Sequence, residues 1–167
     1  MWNVAYAQED KANAQYQWVT GEAVKYKNWA VDEPRIIHNN SYCTVILADG
    51  SWQVFHGGEH KHGVYEFESK TEIPKKSHQI EWVHWKANLG GNGHWYGVFK
   101  NHTDVWPDHK RLAEQLGAHL ATISSKEENK FVNSITRKYG EVWIGLTVRP
   151  GGGGGTNPLS PKGGYVK

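Results

Sequence analysis

Short runs of alternating bulky and polar residues dominate the first half of the chain. Tyr16-Gln17-Trp18-Val19 alternates and ends at Thr20-Gly21-Glu22, which predicts a strand closed by a turn. A polar stretch from Ala30 to about Tyr42, containing Pro34, Asn39 and Asn40, shows little periodicity and reads as a long loop. Cys43 to Ala48 is apolar enough for a buried strand. Asp49-Gly50 is a strong hairpin turn, and Ser51 to Phe55 resumes a strand. A His- and Gly-rich loop follows, then Val64-Tyr65-Glu66-Phe67-Glu68 alternates again. Residues 69–79 are polar and charged and read as a linker. Beyond them Ile80–Lys86 and His94–Phe99 flank a Gly/Asn-rich turn, which predicts a second hairpin.

Helical patterning begins only after residue 100. Trp106-Pro107 sets proline where its missing N–H costs least, at a helix start. Leu112, Ala113 and Leu116 supply an apolar face, and Gly117 stops the helix. A second helix opens at Ser124-Ser125-Lys126-Glu127-Glu128, where serine with glutamate three residues later makes a capping box. Phe131, Val132 and Ile135 form its stripe, and Gly140 ends it. Val142–Leu146 reads as a buried strand. Residues 148–167, with five consecutive glycines, read as a flexible tail.

Composition narrows the choices. At 167 residues the chain fits one compact domain. Nine Trp and eight Tyr compensate for a hydrophobic fraction of only 38%, because each aromatic buries a large area. Nineteen Gly and the absence of long periodic runs favour a loop-rich α+β fold. The net charge of +2 is too balanced for a nucleic-acid footprint, and no apolar run would span a bilayer. The start Met1-Trp2-Asn3-Val4 lacks the pattern of a signal peptide. The lone Cys43 rules out an intrachain disulfide.

Two blocks of motifs carry a family resemblance. His94-Trp95-Tyr96-Gly97-Val98-Phe99, Trp106-Pro107, Leu112 to Asn129 and Trp143-Ile144-Gly145-Leu146 resemble the amino-terminal half of a C-type lectin-like domain. Trp18-Val19-Thr20-Gly21-Glu22, Asn28-Trp29-Ala30, Glu33-Pro34, Cys43-Thr44-Val45-Ile46, Gly50-Ser51-Trp52 and Val64 to Glu68 resemble the carboxy-terminal half. The resemblance implies an α+β fold with two helices, small antiparallel sheets and a long loop, in a single domain over 1–147. The halves stand in swapped order, 16–68 before 80–147, joined by 69–79. A circular permutation, natural or engineered, explains that order with a short bridge. A fragment of a tandem array whose halves pair between chains as a domain swap is the competing explanation. The first expects a monomer and the second a swapped dimer.

The family's sugar-binding members hold Ca²⁺ in the long loop with oxygen ligands. The resemblance carries those positions here one at a time. The Glu-Pro-Asn triplet falls on Glu33-Pro34-Arg35, which keeps the acid but replaces an amide oxygen by a cation. The acid before Cys43 falls on Ser41, and the Asn-Asp pair after Trp52 falls on Gln53-Val54. The Ca²⁺ site is therefore expected to be degenerate. The remaining loop faces form a mixed apolar, aromatic and cationic patch. Glu33, Arg35, Ile37, His38, Ser41, Trp52, Gln53, Phe55 and His56 are the expected ligand-binding residues, for carbohydrate, protein or a small molecule. Trp18, Trp29, Trp52 and Trp143 also read as packing aromatics. His56, His60 and His62 form a spacing in which two strand neighbours share a face, suited to Zn²⁺ or Ni²⁺, with solvated surface histidines as the plainer reading.

A catalytic reading finds little. Cys43 lies in a strand read as buried, where thiols are inert. No nucleophile elbow or phosphate loop is present. Glu59 beside His56 or His60 is the nearest approach to an acid–base pair, and no catalytic residue is assigned. The expectation is a non-catalytic, calcium-independent binding module, with a repurposed or structural scaffold as the alternative. Relatives of this type are mostly extracellular, which a chain without disulfides neither requires nor forbids.

Overall fold

The computed structural model describes residues 16–35, 42–69 and 79–148. Residues 70–78 of the predicted 69–79 linker, the loop residues 36–41 and the glycine tail lie outside them. Eight strands form one sheet: β1 (Tyr16–Trp18), β2 (Tyr42–Ile46), β3 (Trp52–His56), β4 (His62–Phe67), β5 (Val83–His84), β6 (Trp95–Val98), β7 (His119–Leu120) and β8 (Val142–Val148). Two helices, α1 (Trp106–Gln115) and α2 (Lys126–Thr136), precede β7 and β8 respectively. The α+β architecture expected from the sequence is present.

The main sheet path runs β3-β2-β8-β4-β6-β5, with β1 on β8 and β7 on β4. Strand β8, the last among the described residues, thus lies between β2 and β4. It pairs antiparallel with β2 and parallel with β4, where His62 opposes Val142 and Gly63 opposes Trp143. Every residue of β8 is buried, as its apolar run requires of a strand covered on both faces. Val142, Ile144, Leu146 and Val148 face one apolar cluster with Trp18, Trp52 and Val132. Trp143 faces a second with Val45, Tyr65, Trp106 and Leu120. The side chain missing at Gly145 makes room for the chain leaving β7: a Cβ there would stand 2.6 Å from the Leu120 carbonyl oxygen.

Local signals place the elements. The Asp49-Gly50 turn closes the β2–β3 hairpin with Ile46 opposite Trp52, and Gly50 has φ 88°. Pro107 occupies the first turn of α1. The Ser125 hydroxyl accepts the Glu128 amide at 3.1 Å, capping α2. Glu128 reaches back one residue further than a capping box requires, to the amide and hydroxyl of Ser124, both at 2.7 Å.

The buried helix faces differ from the apolar stripes. In α1 the core face is Trp106, His109 and Ala113, while Leu116 is 38% exposed. His109 is accepted because both ring nitrogens are satisfied: Nε2 donates to the Lys61 carbonyl at 2.7 Å, and Nδ1 accepts from the Tyr65 hydroxyl at 2.5 Å. In α2, Val132 is buried as expected, Phe131 and Ile135 are only partly so, and Glu128, Asn129 and Thr136 are buried.

Candidate functional site

The long-loop site is built on the edge strand β3 and the segment entering it. A cis peptide precedes Pro34, and Trp29 bridges to Trp52, laying residues 28–35 beside β3. Glu33 then turns inward: its side chain is only 7% exposed, against 51% for Arg35. Arg35 Nε stands 3.2 Å from Glu33 Oε1, and the Arg35 amide donates to Oε2 at 3.3 Å. The Val54 amide also reaches Oε2, at 3.4 Å. The Arg35 guanidinium further donates to the Val54 carbonyl. Burial raises the Glu33 pKa, opposed by Arg35 and by the Arg35 and Val54 amides. Both carboxylate oxygens are therefore occupied from within the chain.

The other expected ligand residues divide. Gln53 and Phe55 alternate with buried Trp52 and Val54, so they point to the opposite face of β3. Phe55 is capped by Lys61, whose ammonium lies 4.1 Å from the ring centroid and is held by Glu59 at 2.9 Å and Glu141 at 2.6 Å. His56 is exposed, rests edge-on against Tyr42, and accepts the Gly58 amide at 3.2 Å. Trp52 is corrected as a ligand contact. It is wholly buried, ringed by Trp18, Tyr26 and Trp29, and its Nε1 donates to Asn129 Oδ1 at 2.8 Å. Its packing role stands. Ile37, His38 and Ser41 lie outside the described residues. Val31, two residues before Glu33, is 90% exposed and is the exposed large apolar side chain among the loop's described residues.

The His56, His60 and His62 rings go separate ways. His60 faces Asp104 at 4.0 Å, and His62 Nε2 lies 3.3 Å from the Lys100 carbonyl. Cys43 is buried, its thiol pushed up to about 12 by burial, and 3.5 Å from the Thr147 hydroxyl. That environment gives no nucleophile.

A second polar cluster, absent from the sequence reading, lies on β4. The Tyr96 hydroxyl sits 2.5 Å from Glu128 Oε1 and 3.1 Å from Glu66 Oε1. Asn92 donates to the Tyr96 oxygen at 2.7 Å. Glu66 is 1% exposed; its Oε2 accepts from the Thr122 amide at 2.9 Å and its Oε1 lies 2.7 Å from His94 Nδ1. Burial works to raise its pKa, but His94, His119 and the Thr122 amide together hold it below the usual carboxylate value. The signal was the Glu66-Phe67-Glu68 alternation, which sets two carboxylates on one strand face.

Comparisons agree with this architecture. The Lectin C-type domain family matches residues 102–157. C-type lectin domain family 4 member F of Homo sapiens is 38% identical over 65 residues, 39% of this chain and 10% of that protein. Snaclec bitiscetin subunit alpha of Bitis arietans is 39% identical over 59 residues, 32% of this chain and 44% of its own length. Secretory phospholipase A2 receptor of Bos taurus is 25% identical over 177 residues, 92% of this chain and 11% of the receptor. The chain thus spans about a tenth of the first and third of these relatives. No solved structure matches. The family match over residues 102–157, the relatives' names and the two-helix α+β sheet agree on a C-type lectin-like fold.

Proposed function

We propose that this lectin-like binding module recognises its ligand through the loop around Val31–Arg35 and the outer face of β3 without the Ca²⁺ used by sugar-binding family members. One observation carries the reading: the Arg35 guanidinium sits on Glu33, the acid that a loop ion would need. A divalent ion there would have to displace a cation already paired in place, with Gln53 and Val54 offering no compensating carboxylates. The half-exposed guanidinium and Val31 form a surface suited to an acidic or hydroxyl-rich ligand with an apolar patch, such as a carboxylated or sulfated glycan. A glycan array run in Ca²⁺ and again in EDTA tests this. Equal binding in both, weakened by Arg35→Ala, is the expected result; binding lost in EDTA refutes it.

The halves are read as pairing within one chain, as a circular permutation would have them. Support comes from β8 lying between β2 and β4 and from the antiparallel β1–β8 pairing. The receptor match, which covers both halves in this chain's order, favours a second arrangement. In it the order arises where one domain follows another, and the halves pair with those of neighbouring domains. Mass in solution separates the two: a monomer supports pairing within the chain, and a dimer that dissociates only on unfolding supports exchange.

A further inference from the structure

The sheet gathers four metal-ligating side chains on one face, away from the long loop. Strand β4 is flanked by β6 on one side and β7 on the other. Glu66 opposes Tyr96 on β6 and His119 on β7. Residues directly opposite in a sheet point the same way, as do residues two apart in a strand. Glu68 therefore follows Glu66, and His94, two before Tyr96, comes up beside Glu68. Ligand atoms of Glu66, Glu68 and His94 all lie within 4.8 Å of one another. His119 Nε2 is 2.8 Å from Glu68 Oε1, and its Nδ1 is 3.9 Å from Glu66 Oε2.

The hydrogen bonds around this group leave a cation-shaped demand. His119 Nδ1 lies 2.8 Å from the Leu120 carbonyl, which only accepts, so Nδ1 carries a hydrogen. In a neutral ring the Nε2 lone pair then faces the Glu68 carboxylate at 2.8 Å, lone pair against lone pair. A second proton on the ring, or a metal ion between the two atoms, removes the conflict. An imidazole that donates its other N–H to a backbone carbonyl is oriented as metal-bound histidines are. Glu66 Oε2 is fixed by the Thr122 amide and hydroxyl, while Oε1 faces His94 and the Tyr96 hydroxyl; the hydroxyl is closer to Glu128, at 2.5 Å against 3.1 Å, and can turn wholly to it when an ion takes Oε1.

We propose that Glu66, Glu68 and His94 form a binding site for a borderline divalent ion of the Zn²⁺ class, with His119 Nε2, held on Glu68, closing in as the fourth donor when the ion binds. Two imidazoles and two carboxylates suit Zn²⁺, Co²⁺ or Ni²⁺ better than Ca²⁺, which prefers oxygen alone. Donors around tetrahedral Zn²⁺ stand about 3.3 Å apart. The His94–Glu66 and His119–Glu68 pairs, at 2.7 and 2.8 Å, need to open by about half an ångström. Glu68, whose side chain is 49% exposed, is free to swing that far. Glu128 stays outside the set because Tyr96, Asn92 and Ser124 already hold its oxygens.

The test uses the full chain, stripped with EDTA, in Zn²⁺ calorimetry and Co²⁺ visible absorption. One ion per chain with Co²⁺ d–d bands is expected. Glu68→Gln and His119→Gln should each weaken binding at least about tenfold, since even outer-shell losses cost that much. His60→Gln, in the exposed His loop, should leave it unchanged. On the unmutated chain, Zn²⁺ should shift the imidazole NMR signals of His94 and His119 and leave those of His60 alone, which keeps the test independent of variant folding. No saturable binding, binding indifferent to Glu68→Gln and His119→Gln, or binding abolished by His60→Gln would each overturn the proposal.

Discussion

Asn129 ties the helical half to the hairpin of the loop half, and replacing it measures that tie. Its Oδ1 accepts Trp52 Nε1 at 2.8 Å and its Nδ2 donates to the Gly50 carbonyl at 2.9 Å, across 77 and 79 residues of chain. Asn129→Ala strands the wholly buried Trp52 N–H, a loss of about 1–3 kcal/mol. The Gly50 carbonyl keeps a second donor, Asn28 at 2.6 Å, so that side loses only about 0.5–1 kcal/mol. The total of about 1.5–4 kcal/mol is a large part of the roughly 5–15 kcal/mol that holds a domain folded. Urea unfolding followed by tryptophan fluorescence should show the midpoint fall by about 0.75–2 M at an m-value near 2 kcal/mol/M. Trp52→Phe removes the stranded donor, so the double variant should be destabilised less than the sum of the singles by about 1 kcal/mol or more. Singles that add to within about 0.5 kcal/mol would show that the indole and amide are not coupled, and would refute the reasoning.

Three further outcomes are expected. Gly145→Ala brings a Cβ to 2.6 Å from the Leu120 oxygen and 2.9 Å from a Val19 methyl, and should cost about 3 kcal/mol in denaturant melts; a change below about 0.5 kcal/mol would contradict the close approach. Burial depresses the His109 pKa, opposed by its bond to the Lys61 carbonyl, with His102 and His62 pushing down and Asp104 pushing up; Tyr65 faces it as a neutral donor. The unfolded ring takes up a proton first, so this contribution to stability is complete above about pH 6.5 and falls as the pH drops towards the folded value. His109→Gln should accordingly lose less stability than the parent between about pH 7 and pH 5, and an equal loss would argue against a neutral buried imidazole. Cys43, with its thiol pushed up to about 12 by burial, should react with a thiol reagent at about pH 8 only as fast as the domain opens, and immediate stoichiometric labelling would count against that environment.

What the sequence disclosed was local. Asp49-Gly50, Pro107 and Ser125 each act through their own backbone, and each hairpin or helix boundary they signalled is present. Sequence periodicity located the helices but misjudged their inner faces. It counted Leu116 as core and passed over His109, because a histidine becomes tolerable inside only once Lys61 and Tyr65, from a strand and its approach, meet both nitrogens. Trp52 carried a packing and a binding reading at once, and only its burial separated them. A spacing of two residues permits Arg35 to pair with Glu33, but that the pair folds onto the Val54 edge, with Glu33 turned inward, needed the loop's turn. Glu66, Glu68, His94 and His119 come from three strands and their flanks, so no window of sequence contains them together.

The position of β8 also governs how the chain can be made. Residues 142–148 close the gap between β2 and β4, yet they are made after every other described strand of the sheet. Until then β2 and β4 offer unpaired apolar edges, and the core around Trp18 and Trp52 lacks Ile144 and Leu146. Pairings this distant make folding slow and leave such edges open to association with other chains. Yield during expression should therefore depend on temperature and on chaperones more than the finished domain's stability suggests, and nascent chains stopped short of residue 142 should remain protease-sensitive.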